Sequence, residues 1–362
     1  MNVLILTPDR VGSTLLQRLI TVYANINENN SPLTINLHEL TNGIVEYQNS
    51  QYGNVLGKKS GGWGYHQSLH EIVNLIDRAP HDIVSRLAYY HLKNRKDSKA
   101  EQLDFYKYLN ENFYVISARR KNLFEHAMSW CISAESKKLN VYTFEEKYKT
   151  FEKISRNGVH IQEESIEKYL NQYNEYLDWV DCHFNVNSYF EYERDIPNIE
   201  NYVLGLSPFR DLTDTKNWND SFNISWADWN RMHYLLSLVP FDYAFSNDEK
   251  EFMTSHVELY KNCRIHLQDL QDAGILVSGI PIKLHTLKEK ANLITNASQC
   301  LEYYNTWVGS NRPSHALTYT PESLTQIAQI EHNSWSDSNP ERSLLGSSIA
   351  PQQLLESDLK FD

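Results

Sequence analysis

A short apolar run, a glycine-bearing turn and an amphipathic stretch follow one another at the start of the chain, and this succession most limits what the chain can fold into. Val3–Leu6 is bounded at once by Thr7-Pro8-Asp9 and reads as a buried strand. After Arg10-Val11-Gly12-Ser13-Thr14, the residues Leu15, Leu16, Leu19, Ile20 and Tyr23 recur at helical spacing, with Ser13 or Thr14 as the expected N-cap. Strand, tight loop and helix in that order open an α/β unit.

The alternation continues. Leu33–Leu37, Asp82–Ala88, Phe113–Ala118 and Phe184–Phe190 read as strands, and Leu69–Ile76, Phe105–Asn112, Leu123–Ala134, Phe144–Arg156 and Ser165–Val180 as helices. The fold class expected is therefore α/β, a parallel sheet flanked by helices. Past residue 210 the strand signal fades. Trp226–Leu238, Asp248–Gly274, Leu284–Val308 and Pro321–Asn333 all read as helices. The expected organisation is an α/β core over 1–210, a helical C-terminal region over 211–335 packed on it, and a polar tail over 336–362.

Composition narrows the function classes. With 362 residues, 41% of them hydrophobic, the chain has enough apolar material for a full core, and only 13 glycines and 11 prolines leave no room for long linkers or low-complexity architecture. The 34 basic and 46 acidic side chains leave a net charge of −12, which disfavours general nucleic-acid binding; an anionic ligand must be gripped by a local basic site. Cys131, Cys182, Cys263 and Cys300 are widely spaced, with no C-x-x-C pair, so neither a disulfide scaffold nor a cysteine zinc site is expected. The N-terminal stretch lacks the basic region of a signal peptide, and no apolar run approaches the roughly 18 residues of a membrane span. The expected location is cytoplasmic (the host cytoplasm for a viral chain).

Two constellations carry chemistry. In the first, Arg10-Val11-Gly12-Ser13-Thr14 brings successive backbone N–H groups, a fixed positive charge and two hydroxyls to a helix N-terminus, the makings of an anion cradle. The plain alternative is a turn whose Ser and Thr only cap the helix. The loop is not a Walker A motif, because the G-x-x-x-x-G-K-[ST] spacing is absent. In the second, the strand Phe113–Ala118 empties into Arg119-Arg120-Lys121, followed by a helix bearing His126, Ser129 and Trp130. In a parallel sheet the carboxyl ends of strands share one crevice, so Arg10 and the Arg119–Lys121 cluster are expected on one rim. The plain alternative is a solvated charge run. His126 reads as a surface histidine, with a phosphate contact as the alternative.

Together the two motifs resemble the PAPS-dependent sulfotransferases, whose 5′-phosphosulfate loop reads approximately Pro-[Arg/Lys]-Ser-Gly-[Ser/Thr]-Thr and whose 3′-phosphate site reads Arg-[Asn/Asp]-Pro followed by a serine. Pro8, Arg10, Gly12, Ser13 and Thr14 match the first, with Asp9 as one extra residue. Arg120-Lys121-Asn122 through Ser129 is similar to the second, with Leu123 in place of proline and Lys121 at the family's spacing from the serine. Ser188–Glu193 is similar to a later strand that leads into a Tyr-Glu-Asp segment. The likeness covers roughly residues 1–210.

The resemblance implies sulfuryl transfer from PAPS, as co-substrate, to an unidentified acceptor hydroxyl or amine, with no metal. It implies that Arg10, Val11, Gly12, Ser13 and Thr14 hold the phosphosulfate, with Arg10 stabilising charge on the leaving phosphate. Arg119, Arg120, Lys121 and Ser129 would hold the 3′-phosphate. The family's base is a His or Glu; Glu39 and His38, at the end of the second strand, are the candidates, Glu39 first. Arg86 and His91 near the third strand are candidates for binding. The loop Lys58–Gly64, with Trp63 and Tyr65, reads as an acceptor lid or a plain surface loop. Lys283, Lys288 and Lys290 read as a solvated face. The alternative is a non-catalytic sulfotransferase-like structural or assembly protein, since the overall composition also resembles such proteins of large tailed phages. A small-molecule kinase is disfavoured by the missing Walker lysine and magnesium-binding Asp.

Overall fold

The computed structural model describes residues 2–26, 34–41, 68–79, 81–135, 157–196, 199–206, 226–239, 245–272 and 293–311. In chain order the elements are β1 (Asn2–Thr7), α1 (Ser13–Ile26), β2 (Thr34–Glu39), α2 (Leu69–Arg78), β3 (Asp82–Ala88), α3 (Tyr89–Lys93), α4 (Lys99–Asn112), β4 (Phe113–Arg119), α5 (Leu123–Glu135), α6 (Glu163–His183), β5 (Ser188–Glu191), α7 (Tyr192–Asp195), α8 (Ile199–Leu204), α9 (Trp226–Leu238), α10 (Asn247–Ser255), α11 (Val257–Asp272) and α12 (Ala297–Asn311). The chain divides into two compact units. One comprises residues 1–120, 175–237 and 245–278, and the other 121–174, 238–244 and 279–362.

The first unit is built on a five-stranded sheet in the order β2-β3-β1-β4-β5 with every neighbouring pair parallel, so the chain has the α/β architecture expected. Val3–Leu6 lie in the central strand, each at most 1% exposed. A strand covered on both faces needs that unbroken apolar run. From β1 the chain steps to β2 on one side, and from β3 it crosses back past β1 to β4. Parallel crossovers are right-handed, so α1 covers one face and the helices of the later crossovers cover the other. Accordingly α2 packs on α4, and α1 against α8. Because connections leave β1 and β4 in opposite directions, a crevice opens at their carboxyl ends. Tyr176 marks the point: its hydroxyl lies 3.0 Å from the Leu6 carbonyl and 2.9 Å from the Ala118 carbonyl, where the β1–β4 ladder ends at Leu6 and Ser117.

The second unit contains α5, the start of α6 and α12. Phe124 of α5 meets Tyr304 of α12 with ring centres 5.4 Å apart, and Val159 bridges Ile294 in parallel sense. Trp130 stacks on Tyr169 at 5.2 Å, and the Tyr303 hydroxyl donates to Glu167.

Some expected elements change. The stretch Phe184–Phe190 yields only the short β5, because α6 runs on to His183 and the Phe184 N–H still donates to the Val180 carbonyl. The single helix expected over Asp248–Gly274 breaks at His256 (φ −117°, ψ 53°), whose ring lies 2.9 Å from the Phe252 carbonyl and so ends α10. Of Leu284–Val308, residues 293–296 form a turn and the helix begins at Ala297. His126, expected at the surface, is buried and packs on Tyr173, since its face of α5 turns inward. The lid Lys58–Gly64 with Trp63 and Tyr65, the helices Phe144–Arg156 and Pro321–Asn333, residues Lys283, Lys288 and Lys290, and the tail 336–362 lie outside the described residues. Among the described residues no helix is long and apolar enough to cross a membrane.

Candidate functional site

The turn between β1 and α1 is held in an unusual backbone. Asp9, Arg10 and Gly12 all adopt positive φ, at 62°, 58° and 73°. For Arg10 this costs on the order of 1–2 kcal/mol, and residues kept in such conformations gather where ligands bind. Gly12 is required twice over. A Cβ there would meet Ile196 Cδ1 at 2.9 Å and Tyr192 Cδ2 at 3.2 Å, besides sitting at φ +73°. Val11 anchors the turn by burying its side chain completely. The Asp9 N–H donates to Thr7 Oγ1 (2.9 Å), and that hydroxyl donates to Ser13 Oγ (3.2 Å).

Gly12, rather than Ser13 or Thr14, takes the N-cap position: its carbonyl accepts the first helical bond, from the Leu16 N–H. The two hydroxyls have another partner. Arg86 Nη1, from the neighbouring strand β3, donates to Ser13 Oγ at 3.3 Å and to Thr14 Oγ1 at 2.5 Å. Sheet order makes this possible, since Thr7 of β1 stands beside Ala88 of β3.

Arg86 also donates through Nη2 to Glu39 Oε1 at 3.0 Å, and the other Glu39 oxygen lies 2.6 Å from His91 Nδ1. Glu39 is in register with Arg86 across the irregular β2–β3 pairing. All three side chains are buried. Glu39, the first candidate for a base, is thus held by a guanidinium and an imidazole. The contact seats the imidazole against the carboxylate just past the ends of β2 and β3. His38 precedes Glu39 in β2, and its side chain lies outside the described residues. The charges around Asp9 belong to this same group. Burial first, and then the Glu39 charge, push its carboxyl up to about 6 against the pull of Arg86, His91 and Arg10.

The β4 side supplies the second cluster. Arg120 follows β4 directly and is 1% exposed. Its Nε donates to Glu193 Oε1 at 2.8 Å, its guanidinium lies 4.5 Å from the centre of the Tyr192 ring, and its Nη1 stands 3.5 Å from the Arg10 carbonyl. Arg119 donates to Ser117 Oγ at 3.3 Å and Asp181 Oδ1 at 3.1 Å and lies 4.3 Å from the Tyr189 ring centre. The Arg120 side chain therefore reaches the Arg10 backbone, with both arginines of the second cluster engaged by acidic and aromatic neighbours. Lys121 and Ser129 belong to the second unit; Lys121 is exposed, and Ser129 is buried with its carbonyl accepting from Ser133 Oγ.

Sequence reasoning gave Asp9 no role and ranked Glu39 above His91. It saw Tyr192 and Glu193 only as part of a strand-end motif, although they pack on Gly12 and pair with Arg120. The available signal for His91 was its place just past the β3 carboxyl end, beside two other rim strands. Among the described residues no group of three or more His, Cys, Asp or Glu side chains is arranged to hold a metal ion. No family model, no curated protein and no solved structure matches the chain.

Proposed function

We propose that the chain is a sulfotransferase-like enzyme that moves the sulfuryl group of PAPS to an acceptor hydroxyl or amine. The observation that carries this reading is the double engagement of Arg86. One guanidinium joins the Ser13 and Thr14 hydroxyls of the phosphosulfate-like loop to the Glu39–His91 pair. A cationic loop at a helix N-terminus and an oriented imidazole then occupy adjacent strand ends of one sheet edge.

Each residue has a role in an in-line displacement. His91 Nε2 takes the acceptor's proton as the acceptor oxygen or nitrogen bonds to sulfur, and Glu39 positions that ring and supports the imidazolium that forms. As the bond from sulfur to the bridging oxygen breaks, the electron pair goes to the phosphate, leaving adenosine 3′,5′-bisphosphate. Arg10, Arg86, the Ser13 and Thr14 hydroxyls and the first backbone N–H groups of α1 receive that charge. The 3′-phosphate falls to Arg119 and Arg120.

A second reading, a non-catalytic structural relative, draws on a different observation. Arg120 is buried and paired with Glu193, as a structural clamp would be. The test is a thermal shift with adenosine 3′,5′-bisphosphate and with PAPS, followed by transfer of labelled sulfuryl to a panel of acceptors. Ligand at 100 times its Kd stabilises by about 2.7 kcal/mol. Failure of both ligands to raise Tm sinks the enzyme reading in favour of the structural one.

A further inference from the structure

Among the described residues, buried arginines have carboxylate partners, with one exception. Arg86, Arg95 and Arg120, whose side chains are no more than 6% exposed, lie against Glu39, Asp97 and Glu193 at 3.0, 2.5 and 2.8 Å. Arg18, in α1, is 3% exposed, and its Nε and Nη1 are buried with no hydrogen-bond partner among the described residues. It forms no ion pair with any of them. Burial pulls the guanidinium down to about 10, so it keeps its charge near pH 7. An interior charge without a counter-charge is costly, and buried charges are as a rule paired.

Helix geometry places the group. Thr14, Arg18 and Asn25, at i, i+4 and i+11 of α1, share one face. At one end of that stripe Thr14 receives Arg86 Nη1 from β3. At the other, the Asn25 side chain pairs with both the N–H and the carbonyl of Thr34, where β2 begins. From Asn25 back to Arg18 the helix rises about 10 Å, the length of about three strand residues. Arg18 therefore stands beside the carboxyl half of β2, against which α1 packs. Just past that end of β2, Thr41 Oγ1 is a second buried polar atom with no hydrogen-bond partner among the described residues.

We infer that the flank between α1 and the carboxyl end of β2 is a binding site for a small carboxylate monoanion, with Arg18 as its counter-charge. A planar carboxylate meets a guanidinium fork with two parallel hydrogen bonds. One negative charge neutralises one guanidinium, whereas a doubly charged phosphate would leave an excess charge buried. Arg18 has no part in sulfuryl transfer as proposed above, so this site stands or falls on its own.

The test is calorimetric titration of sodium acetate into the full chain at pH 7.5, with sodium chloride at equal ionic strength as the blank, and into Arg18→Met and Arg18→Lys. Methionine removes the charge at similar volume, and lysine keeps the charge without the fork, which guards the fold. Acetate is expected to bind the unaltered protein at one site and Arg18→Met at least about tenfold more weakly, as for loss of a charge-assisted pair. Arg18→Lys should fall between them. No acetate binding to the unaltered protein, or equal affinity in the variants, overturns the site. Inorganic phosphate binding more tightly than acetate, with that binding lost in Arg18→Met, overturns the choice of a monoanion. Acetate binding that needs Arg18, beside a failure of PAPS and adenosine 3′,5′-bisphosphate to bind, upholds this site and sinks the sulfotransferase reading alone.

Discussion

Glu39 Oε2 stands 2.6 Å from His91 Nδ1, a contact between the end of β2 and the helix that follows β3. Since Glu39 also receives Arg86, it is positioned to orient the imidazole rather than to take a proton itself. In an assay of sulfuryl transfer, His91→Gln is expected to lower kcat by about 10²–10⁴-fold. Glu39→Gln should cost less, because the ring keeps a polar neighbour beside Nδ1 but loses the carboxylate that positions it. A His91→Gln enzyme with unaltered kcat would place the base elsewhere.

Arg86 links three elements from a buried position, so its loss is expected to show in stability as well as in ligand binding. Arg86→Met leaves Glu39 buried without its guanidinium, and breaking a buried pair from one side costs on the order of 3–5 kcal/mol. Urea denaturation measures the loss. Arg86→Lys should retain part of the stability and less of the nucleotide affinity, since a single ammonium does not reproduce the fork that spans Thr14 and Glu39.

Gly12→Ala combines a strained φ with a steric clash, and a destabilisation of about 1–3 kcal/mol is expected. The two causes separate in a double variant. Ile196→Val removes the Cδ1 atom at 2.9 Å, so it should recover part of the loss in the Gly12→Ala background. If Gly12→Ala melts with the unaltered protein, the loop has another backbone conformation.

The pair Arg120–Glu193 distinguishes a clamp from a phosphate grip. A clamp predicts that Arg120→Met destabilises the fold, by less than a fully buried pair would because Glu193 is partly exposed, and that Arg120→Met with Glu193→Leu restores much of it. A grip predicts that Glu193→Gln raises the affinity for adenosine 3′,5′-bisphosphate by freeing the guanidinium. Titration calorimetry on Glu193→Gln separates the two.

His233 supplies a pH signature of stability. Its Nε2 lies 2.9 Å from His266 Nδ1 and its Nδ1 lies 3.0 Å from the Trp229 carbonyl, and burial foremost, with the His266 charge second, pulls it down to about 3. The unfolded chain takes up a proton near pH 6.5 while the folded one does not until about 3, so the unfolded state binds more protons in that window. Stability should therefore fall as pH drops from 6.5 toward 3, by at most about 1.4 kcal/mol per unit from this group. Asp9, raised to about 6, works in the opposite direction between about pH 4 and 6. Chemical denaturation at several pH values should show His233→Gln with a shallower acid-side loss and Asp9→Asn with a steeper one.

Much of the sheet was legible because its strands are local patterns. The reading of Asp82–Ala88 as a strand matches the structure residue for residue, and the reading of Val3–Leu6 misses only the flanking polar residues Asn2 and Thr7. The breaks at His183 and His256 were less visible. Both interrupt stretches whose apolar spacing continues past the boundary, and the decision there belongs to hydrogen bonds around a single residue. The partners of Arg119 and Arg120 were invisible, since Asp181 and Glu193 are about 60 and 70 positions further along the chain.

By itself, the order of residues determined that a buried strand would run into a tight glycine turn and a helix, and that a second strand would end in two arginines. Those outcomes depend on side-chain periodicity and on backbone freedom at Gly12, which act over a few neighbours. Only the tertiary structure decided that β3 lies between β2 and β1 and β4 on the far side of β1. That order puts Arg86 within reach of both Thr14 and Glu39, and Arg120 beside the Arg10 carbonyl. Strand order is settled by how the crossover helices bury their apolar faces against the whole sheet, a global balance that no local stretch of sequence records.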